Sequence, residues 1–158
     1  MLIMNNNDIL RRIRYTFDLD DSKMIEIFGL ADLKVIRSEV SNWLKKDDDP
    51  AYKELSDKQL AIFLNGFIND KRGKKEGVER KPEGRLNNNI ILRKIKIALN
   101  LKNEEMLEIL KLGNMYISKH ELSALFRKPT QSQYRPCQEQ ILRKFLNGMQ
   151  MKYHSNVE

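Results

Sequence analysis

Histidine and cysteine, which supply many of the nucleophiles, general bases and zinc ligands in proteins, are scarce in this chain. There are two histidines, His120 and His154, and one cysteine, Cys137, among 158 residues. The histidines form no His-x-x-x-His pair, and one cysteine builds neither a thiolate zinc site nor an intramolecular disulfide. Cys137 stands beside Pro136 near a predicted helix start, where a thiol pKa can fall. With no motif around it, a buried or incidental role is favoured over that of a nucleophile.

Two further motifs that could hold a ligand are incomplete. Gly73 and Lys74 are followed by Lys75 instead of Ser or Thr, and no glycine precedes them at phosphate-loop spacing. The acidic run at 47–49 lacks the alternating spacing and the terminal Glu of a calcium loop. We therefore expect no catalytic residues, no metal site and no cofactor, and a protein that is not an enzyme.

Composition indicates a globular protein without a membrane partner. Apolar residues make up 41% of the chain, and no run reaches the roughly 18–20 apolar residues that a membrane span needs. The apolar run at 1–4 is too short for a signal peptide, and a single cysteine suits a reducing compartment. We expect a cytoplasmic location.

The chain repeats itself, because positions 5–66 align without a gap with positions 87–148. Phe-Leu-Asn-Gly at 63–66, for example, returns at 145–148. In this alignment 21 of 62 positions are identical and most of the others are conservative. The sequence therefore predicts a duplicated module, with repeat 1 at 4–70, a basic flexible linker at 71–85 and repeat 2 at 86–153.

Each repeat is predicted to contain four helices, so the fold class is all-α. Ile9, Leu10, Ile13 and Phe17 form the apolar stripe of the first helix, and the matching positions of repeat 2 keep it. Asparagines just before this stripe suit helix N-caps, and Ser-x-x-Gln or Ser-x-x-Glu capping boxes open two later helices. Because one module of about 62 residues buries a marginal core, we expect the two copies to pack together, with pseudo-two-fold symmetry.

Four local sequence features predict details of the helices and of their packing. Gly29 is expected to end the second helix, and Ile36 to be buried by the third. Pro136 suits the first turn of the last helix of repeat 2. The Asn-Gly pair at 65–66 recurs unchanged at 147–148, which favours close helix packing or a special backbone conformation.

The formal net charge of +7 is distributed unevenly. Residues 5–66 carry 10 basic and 12 acidic side chains, residues 67–85 carry 7 and 4, and residues 86–148 carry 11 and 5. The positive field therefore belongs to the linker and to repeat 2. Such asymmetry is typical of a phosphate-binding surface.

The second and third helices of each repeat resemble a helix-turn-helix, although their link at 30–35 is longer than the usual three or four residues. In a DNA-bound repeat 2, the third helix would lie near the groove and the first helix would hold phosphates. The nucleic-acid-contact candidates are Arg93, Lys94, Lys96, Lys119, His120, Arg127, Lys128, Arg143 and Lys144. The secondary candidates, in repeat 1, are Arg11, Arg12 and Arg14. The alternative for each is a cation on the solvated face of an amphipathic helix.

Four stretches of the sequence resemble a known family. They are NNDILRRIRY at 6–15, VSNWLKKDDDP at 40–50, FLNGFI at 63–68 and, in repeat 2, ELSALFRK at 121–128. With these stretches the chain is similar to the YehS family of bacterial proteins over nearly its whole length. The resemblance implies a duplicated domain of unknown function and carries over no activity, cofactor or catalytic residue.

We expect a small, non-enzymatic protein that binds DNA or RNA through the basic repeat 2. The alternative is a protein-interaction adaptor without enzymatic activity. In that role the acidic repeat 1 and the basic repeat 2 would pair within one chain, between chains or with a protein partner.

Overall fold

The computed structural model describes residues 3–77 and 79–154, and this part of the chain forms eight α-helices and no strand. The helices are α1 (Asn6–Thr16), α2 (Asp21–Leu30), α3 (Arg37–Leu44), α4 (Asp57–Arg72), α5 (Asn88–Ala98), α6 (Asn103–Leu112), α7 (Lys119–Leu125) and α8 (Glu139–Tyr153). The all-α fold class with four helices per repeat is confirmed. None of the helices in the described ranges is long and apolar enough to cross a membrane.

Polar residues set where several helices begin. The side chains of Asn5 and Asn87 accept backbone hydrogen bonds in the first turns of α1 and α5. Ser56 and Gln59 form a reciprocal capping box at the start of α4, and Ser118 opens α7 in the same way. These N-terminal signals were readable because capping depends on residues only a few positions apart.

Three local predictions were wrong. The helix α2 continues past Gly29, and the chain turns at Asp32, which has φ 65°. Ile36 is 59% exposed because it is the N-cap residue of α3, and Val35 is buried instead. Pro136 lies in the loop before α8 and not in its first turn.

A buried asparagine on the first helix holds each repeat together. Asn7 donates from Nδ2 to the carbonyl oxygens of Trp43 and Lys53, at 2.9 and 2.8 Å. Its Oδ1 accepts from the backbone N–H of Leu55 at 3.0 Å. Asn89 makes the same three hydrogen bonds in repeat 2, to the residues that align with these partners. One side chain thus fixes the end of the third helix and the loop before the fourth on the first helix.

The two repeats pack on each other with pseudo-two-fold symmetry. The first helix of each repeat packs on the last helix of the other, so α1 contacts α8 and α5 contacts α4. The backbone N–H of Met4 donates to Glu139 at 2.7 Å, and the N–H of Leu86 donates to Asp57 at 2.9 Å. The two donors occupy equivalent positions in the two repeats, as do the two acceptors, so the exchange is reciprocal. The apolar side chains of both repeats form one continuous core.

The recurrent Asn-Gly pairs are explained by close helix packing. A Cβ atom on Gly66 would lie 1.9 Å from the carbonyl oxygen of Ile27, and one on Gly148 would lie 1.8 Å from that of Ile109. Both glycines lie inside helices, where α2 touches α4 and α6 touches α8. No larger residue fits at either crossing unless the helices move apart.

The segment between the repeats is partly fixed on the protein. It covers residues 73–87, since α4 ends at Arg72 and α5 begins at Asn88. Asn65 donates to the carbonyl oxygen of Arg80 at 3.4 Å, and Glu83 forms an ion pair of 3.0 Å with Lys94. The second half of the segment is therefore attached to the interface between α4 and α5.

Candidate nucleic-acid interface

Some of the basic candidates lie where the first and third helices of a repeat meet. In repeat 1 this groove has a volume of about 460 Å³ and is lined by Arg11, Arg14 and Lys45, with Asp21 at the start of α2. The same helix positions are basic in repeat 2. The basic residues at these positions of repeat 2 are Arg93, Lys96 and Arg127. Together with Lys128, which follows Arg127, we call them the α5–α7 face.

Contacts between α5 and the end of α7 bring these cations onto one surface. Asn89 on α5 donates to the last carbonyl oxygen of α7 at 3.0 Å. The ammonium of Lys96 lies 5.6 Å from the centre of the Phe126 ring, which ends α7, and Arg127 is the next residue. Arg93 precedes Lys96 by three residues and so lies on the same side of α5. Three of the nine sequence candidates, Arg93, Lys96 and Arg127, therefore share this face, and Lys128 follows Arg127 in the chain.

In repeat 1 two of the three groove cations, Arg11 and Lys45, are held by neighbouring polar groups. Arg11 donates to the carbonyl oxygen of Lys45 at 2.8 Å and pairs with the carboxylate of Asp8. The ammonium of Lys45 donates to Oδ1 of Asn42 at 3.0 Å. The Asp8 carboxylate offsets the charge of Arg11, whereas Asp21, which also lines the groove, lies 3.3 Å from Arg37.

Repeat 2 keeps the cations and replaces their partners. Ile90 stands where repeat 1 has Asp8, Ala124 where it has Asn42, and Asn103 where it has Asp21. The Nε atom of Arg127 is buried without a hydrogen-bond partner among the described residues, as is the Nε atom of Arg14 in repeat 1, so this feature is common to both repeats. The aligned repeats contain these replacements, but only the structure shows that Asp8 and Asn42 are the partners of Arg11 and Lys45. Asp21 lines the groove and pairs with Arg37.

Lys119 and His120 lie at the opposite end of α7, about 10 Å along the helix from the α5–α7 face. The Lys119 ammonium lies 3.8 Å from Glu104 of α6. Its repeat 1 equivalent, Arg37, pairs with Asp21, which aligns with Asn103 and not with Glu104. His120 lines a separate pocket of about 560 Å³ between α7 and the loop before α8. Both side chains are exposed, but the structure does not join them to the other candidates.

Lys94 does not belong to the candidate surface, although it lies between Arg93 and Lys96 in sequence. It is only 7% exposed, and its ammonium lies 2.6 Å from Oδ1 of Asn65 and 3.0 Å from Glu83. Burial lowers the pKa of Lys94, and the Glu83 carboxylate opposes that shift. We exclude Lys94 from the phosphate contacts because its charge is enclosed between the repeats.

The α8 candidates and the repeat 1 arginines divide between two other places. Arg143 lines a cleft between α1 and α8 together with Arg11 and Arg12. Lys144 is half-buried, and its backbone carbonyl touches the α6–α8 crossing near Gly113. Arg14 lies in the repeat 1 groove already described.

The surroundings of Cys137 disfavour a reactive thiol. Cys137 is buried, and burial together with the Glu139 carboxylate raises the pKa of its thiol to about 12. Such a thiol is protonated at neutral pH and is a poor nucleophile. Within residues 3–77 and 79–154, no group of three or more His, Cys, Asp or Glu side chains is arranged to hold a metal ion.

The fold and the surface define a helical protein built from two fused copies of one four-helix module, the second with a basic face. The chain belongs to the family described as "Protein of unknown function (DUF1456)", whose model matches residues 6–73 and 88–154. It is 37% identical over 152 residues to "Uncharacterized protein YehS" of Escherichia coli (strain K12). That alignment covers 96% of this chain and 97% of the relative. The resemblance to the YehS family is confirmed, and no solved structure matches.

Proposed function

We propose that this protein binds nucleic acid through the α5–α7 face of repeat 2 and is a binding protein without catalytic activity. The proposal depends on one observation. At equivalent positions both repeats carry the same cations, but repeat 2 has Ile90 and Ala124 where repeat 1 has the pairing residues Asp8 and Asn42. A surface that retains positive charge and loses its internal acceptors is suited to acceptors supplied by a ligand.

The chemistry of these side chains fits phosphate groups. Arginine presents a planar fork of N–H donors that matches two phosphate oxygens, and lysine adds a point charge. Arg93, Lys96 and Arg127 are half-buried, so their stems are already ordered by the protein and less entropy is lost on binding. The positive field of repeat 2 also raises the rate at which a polyanion encounters this face.

The same geometry favours contacts with the phosphate backbone over reading of bases. The helix α7 has seven residues, and its first residue, Lys119, is paired with Glu104. The link between α6 and α7, at 113–118, is longer than a helix-turn-helix turn. Because phosphate contacts carry little sequence information, we expect binding with weak sequence preference.

The test measures binding of labelled nucleic acids by fluorescence anisotropy at about 50 mM salt, where phosphate contacts are strong. The probes are a DNA duplex, a single-stranded DNA and a single-stranded RNA of equal length. The triple variant Arg93→Gln/Lys96→Gln/Arg127→Gln is compared with Arg11→Gln/Arg14→Gln/Lys45→Gln, which removes the same charge from repeat 1. Circular dichroism confirms that both variants are folded.

We expect binding to at least one probe, weakened about tenfold or more by the repeat 2 triple and much less by the repeat 1 triple. Equal effects of the two triples would show that net charge, not the α5–α7 face, governs binding. Absence of binding to all three probes would reject the proposal and leave the protein-interaction adaptor.

A further inference from the structure

The pocket of about 560 Å³ between α7 and the loop before α8 has an apolar lining. Leu125 and Ala124 of α7 belong to this lining, as do Pro136 of the loop and Ile141 in the first turn of α8. The volume is in the range of sites that bind small molecules. The α5–α7 face contributes none of the described residues that line the pocket, so the two features are separate.

Repeat 1 carries larger side chains at the two α7 positions of this lining. Leu125 stands where repeat 1 has Trp43, and the Trp43 indole is 5% exposed with its ring centre 5.3 Å from that of Phe28. Ala124 stands where repeat 1 has Asn42. Both differences remove side-chain volume beside the pocket in repeat 2.

Two other positions of the apolar lining are polar in repeat 1. Ile141 stands where repeat 1 has Gln59, whose side-chain oxygen accepts from the backbone N–H of Ser56 at 2.9 Å. Pro136 stands where repeat 1 has Glu54, an exposed acid. Repeat 2 therefore presents apolar groups where repeat 1 presents polar ones. Because contact between apolar surface and water is unfavourable, this lining favours a ligand that covers it.

A carboxylate on α7 stands at the edge of the apolar lining. Glu121 lies one helical turn before Leu125 and therefore on the same side of α7. One of its two carboxylate oxygens accepts from the backbone N–H of Ser118 at 2.9 Å. This hydrogen bond lowers the pKa of Glu121, so the carboxylate is ionised at neutral pH.

The opposite charge comes from Arg135, whose backbone is fixed within the repeat. Its N–H donates to the carbonyl oxygen of Ala124 at 3.1 Å, and its carbonyl oxygen accepts from Asn89 at 2.9 Å. The guanidinium donates from Nη1 to the carbonyl oxygen of Tyr134 at 3.3 Å, which uses only part of its set of N–H donors. Both charged side chains line the pocket, and we call Glu121 and Arg135 the rim pair.

We propose that this pocket binds a free amino acid with a large apolar side chain. The side chain of the ligand lies against Leu125 and Ile141. Arg135 donates paired hydrogen bonds to the carboxylate of the ligand, and Glu121 accepts from its ammonium group. The rim pair has one charge of each sign and no net charge, which matches a zwitterion.

The first experiment titrates the full-length protein with L-tryptophan, L-phenylalanine and L-leucine by isothermal calorimetry. The amino acid that binds most tightly is then compared with its decarboxylated amine and with its deaminated acid. We expect saturable binding of at least one amino acid and about tenfold weaker binding of both analogues, since each lacks one charge. Absence of saturable binding for all three amino acids, or analogues that bind as tightly as the amino acid, would overturn the proposal.

The second experiment removes the charges of the rim pair one at a time. Glu121→Gln keeps a residue that can cap α7, and Arg135→Gln removes the guanidinium. Glu39→Gln and Lys53→Gln, at the equivalent positions of repeat 1, are the matched controls. We expect each rim variant to bind the amino acid about tenfold less tightly and both controls to bind it as the wild type does. Equal losses in the controls would contradict a site in repeat 2.

The third experiment gives the pocket the polar side chains of repeat 1, through Pro136→Glu/Ile141→Gln. The two positions are exposed and half-buried, so we expect circular dichroism to show a folded protein. Amino-acid binding should weaken about tenfold or more, because polar groups replace the apolar lining. Undiminished binding by the folded double variant would contradict the pocket. Because the nucleic-acid proposal involves other residues, either proposal can fail alone.

Discussion

The ammonium of Lys94 lies 2.6 Å from the side-chain oxygen of Asn65, which joins the first helix of repeat 2 to the last helix of repeat 1 inside the protein. Glu83 adds a carboxylate at 3.0 Å. These partners do not fully compensate for burial, and the pKa of Lys94 stays below its usual value of 10.5. The free-energy cost of burying the Lys94 charge between the repeats therefore depends on pH.

This cost predicts how stability changes at alkaline pH. At pH values between the lowered pKa of folded Lys94 and 10.5, Lys94 is protonated in a larger fraction of unfolded chains than of folded chains. The free energy of unfolding should therefore rise with pH in this window. Urea unfolding from pH 7 to 10 should show the wild type gaining stability relative to Lys94→Met, in which the titration is absent. A difference that is constant or shrinks as the pH rises would be inconsistent with the buried lysine.

The glycine crossings should not tolerate a methyl group. Gly66→Ala and Gly148→Ala each place a Cβ within 2 Å of a carbonyl oxygen, so we expect a loss of about 3 kcal/mol or more in the free energy of unfolding. Gly29→Ala is the control, because its added Cβ meets nothing within 4 Å. Alanine there should be neutral or stabilise by up to about 1 kcal/mol, because it is the better helix former. Similar stabilities of Gly66→Ala and Gly29→Ala would refute the close crossing.

The buried asparagines should contribute more to stability than the capping asparagines beside them. Asn7→Ala removes three hydrogen bonds and leaves buried backbone groups unpaired, so we expect a loss of about 3 kcal/mol. Asn5→Ala removes only the N-cap of α1 and should cost about 1 kcal/mol. Chemical denaturation of both variants, and of Asn89→Ala as the repeat 2 equivalent of Asn7→Ala, provides the comparison. An Asn7→Ala protein no less stable than Asn5→Ala would show that these hydrogen bonds do not hold the repeat together.

The parts of the fold that could be predicted depend on residues close together in the chain or on the internal repeat. Apolar periodicity and capping residues located the helices, and the gap-free internal alignment located the two modules. The error at Ile36 has a physical reason, since an apolar residue at helical spacing is not distinguished from an N-cap residue by periodicity. The prediction that Gly29 ends α2 was wrong because a glycine with open surroundings is tolerated inside a helix near its end.

Only part of the candidate site could be predicted from the sequence, because the burial of a cation depends on how the repeats pack. Arg93 and Lys94 are adjacent and both basic, yet one lies on the α5–α7 face and the other is enclosed against α4. No pattern within one repeat contains that contact. The same reason separates Arg143, which the sequence groups with Arg93, and places it in the α1–α8 cleft.

Restoring the acids of repeat 1 to repeat 2 should weaken nucleic-acid binding. Ile90→Asp and Asn103→Asp place carboxylates at the positions of Asp8 and Asp21, beside the cations of the α5–α7 face. We expect the double variant to bind the preferred probe about tenfold less tightly, since each carboxylate competes with phosphate for the guanidinium groups. The control, Gln133→Asp/Gln140→Asp, adds the same charge at exposed positions outside the face. Equal weakening by both double variants would assign the effect to net charge.

The salt dependence of duplex binding tests the central claim most directly. The slope of the logarithm of the association constant against the logarithm of the salt concentration reports the number of phosphates neutralised, at about −0.9 for each in duplex DNA. Loss of three contacting cations should make this slope less steep by about 2 to 3 in Arg93→Gln/Lys96→Gln/Arg127→Gln, while the matched repeat 1 triple keeps the slope of the wild type. A repeat 2 triple with the unaltered slope, or a repeat 1 triple with the same decrease, would contradict a phosphate-binding face on repeat 2.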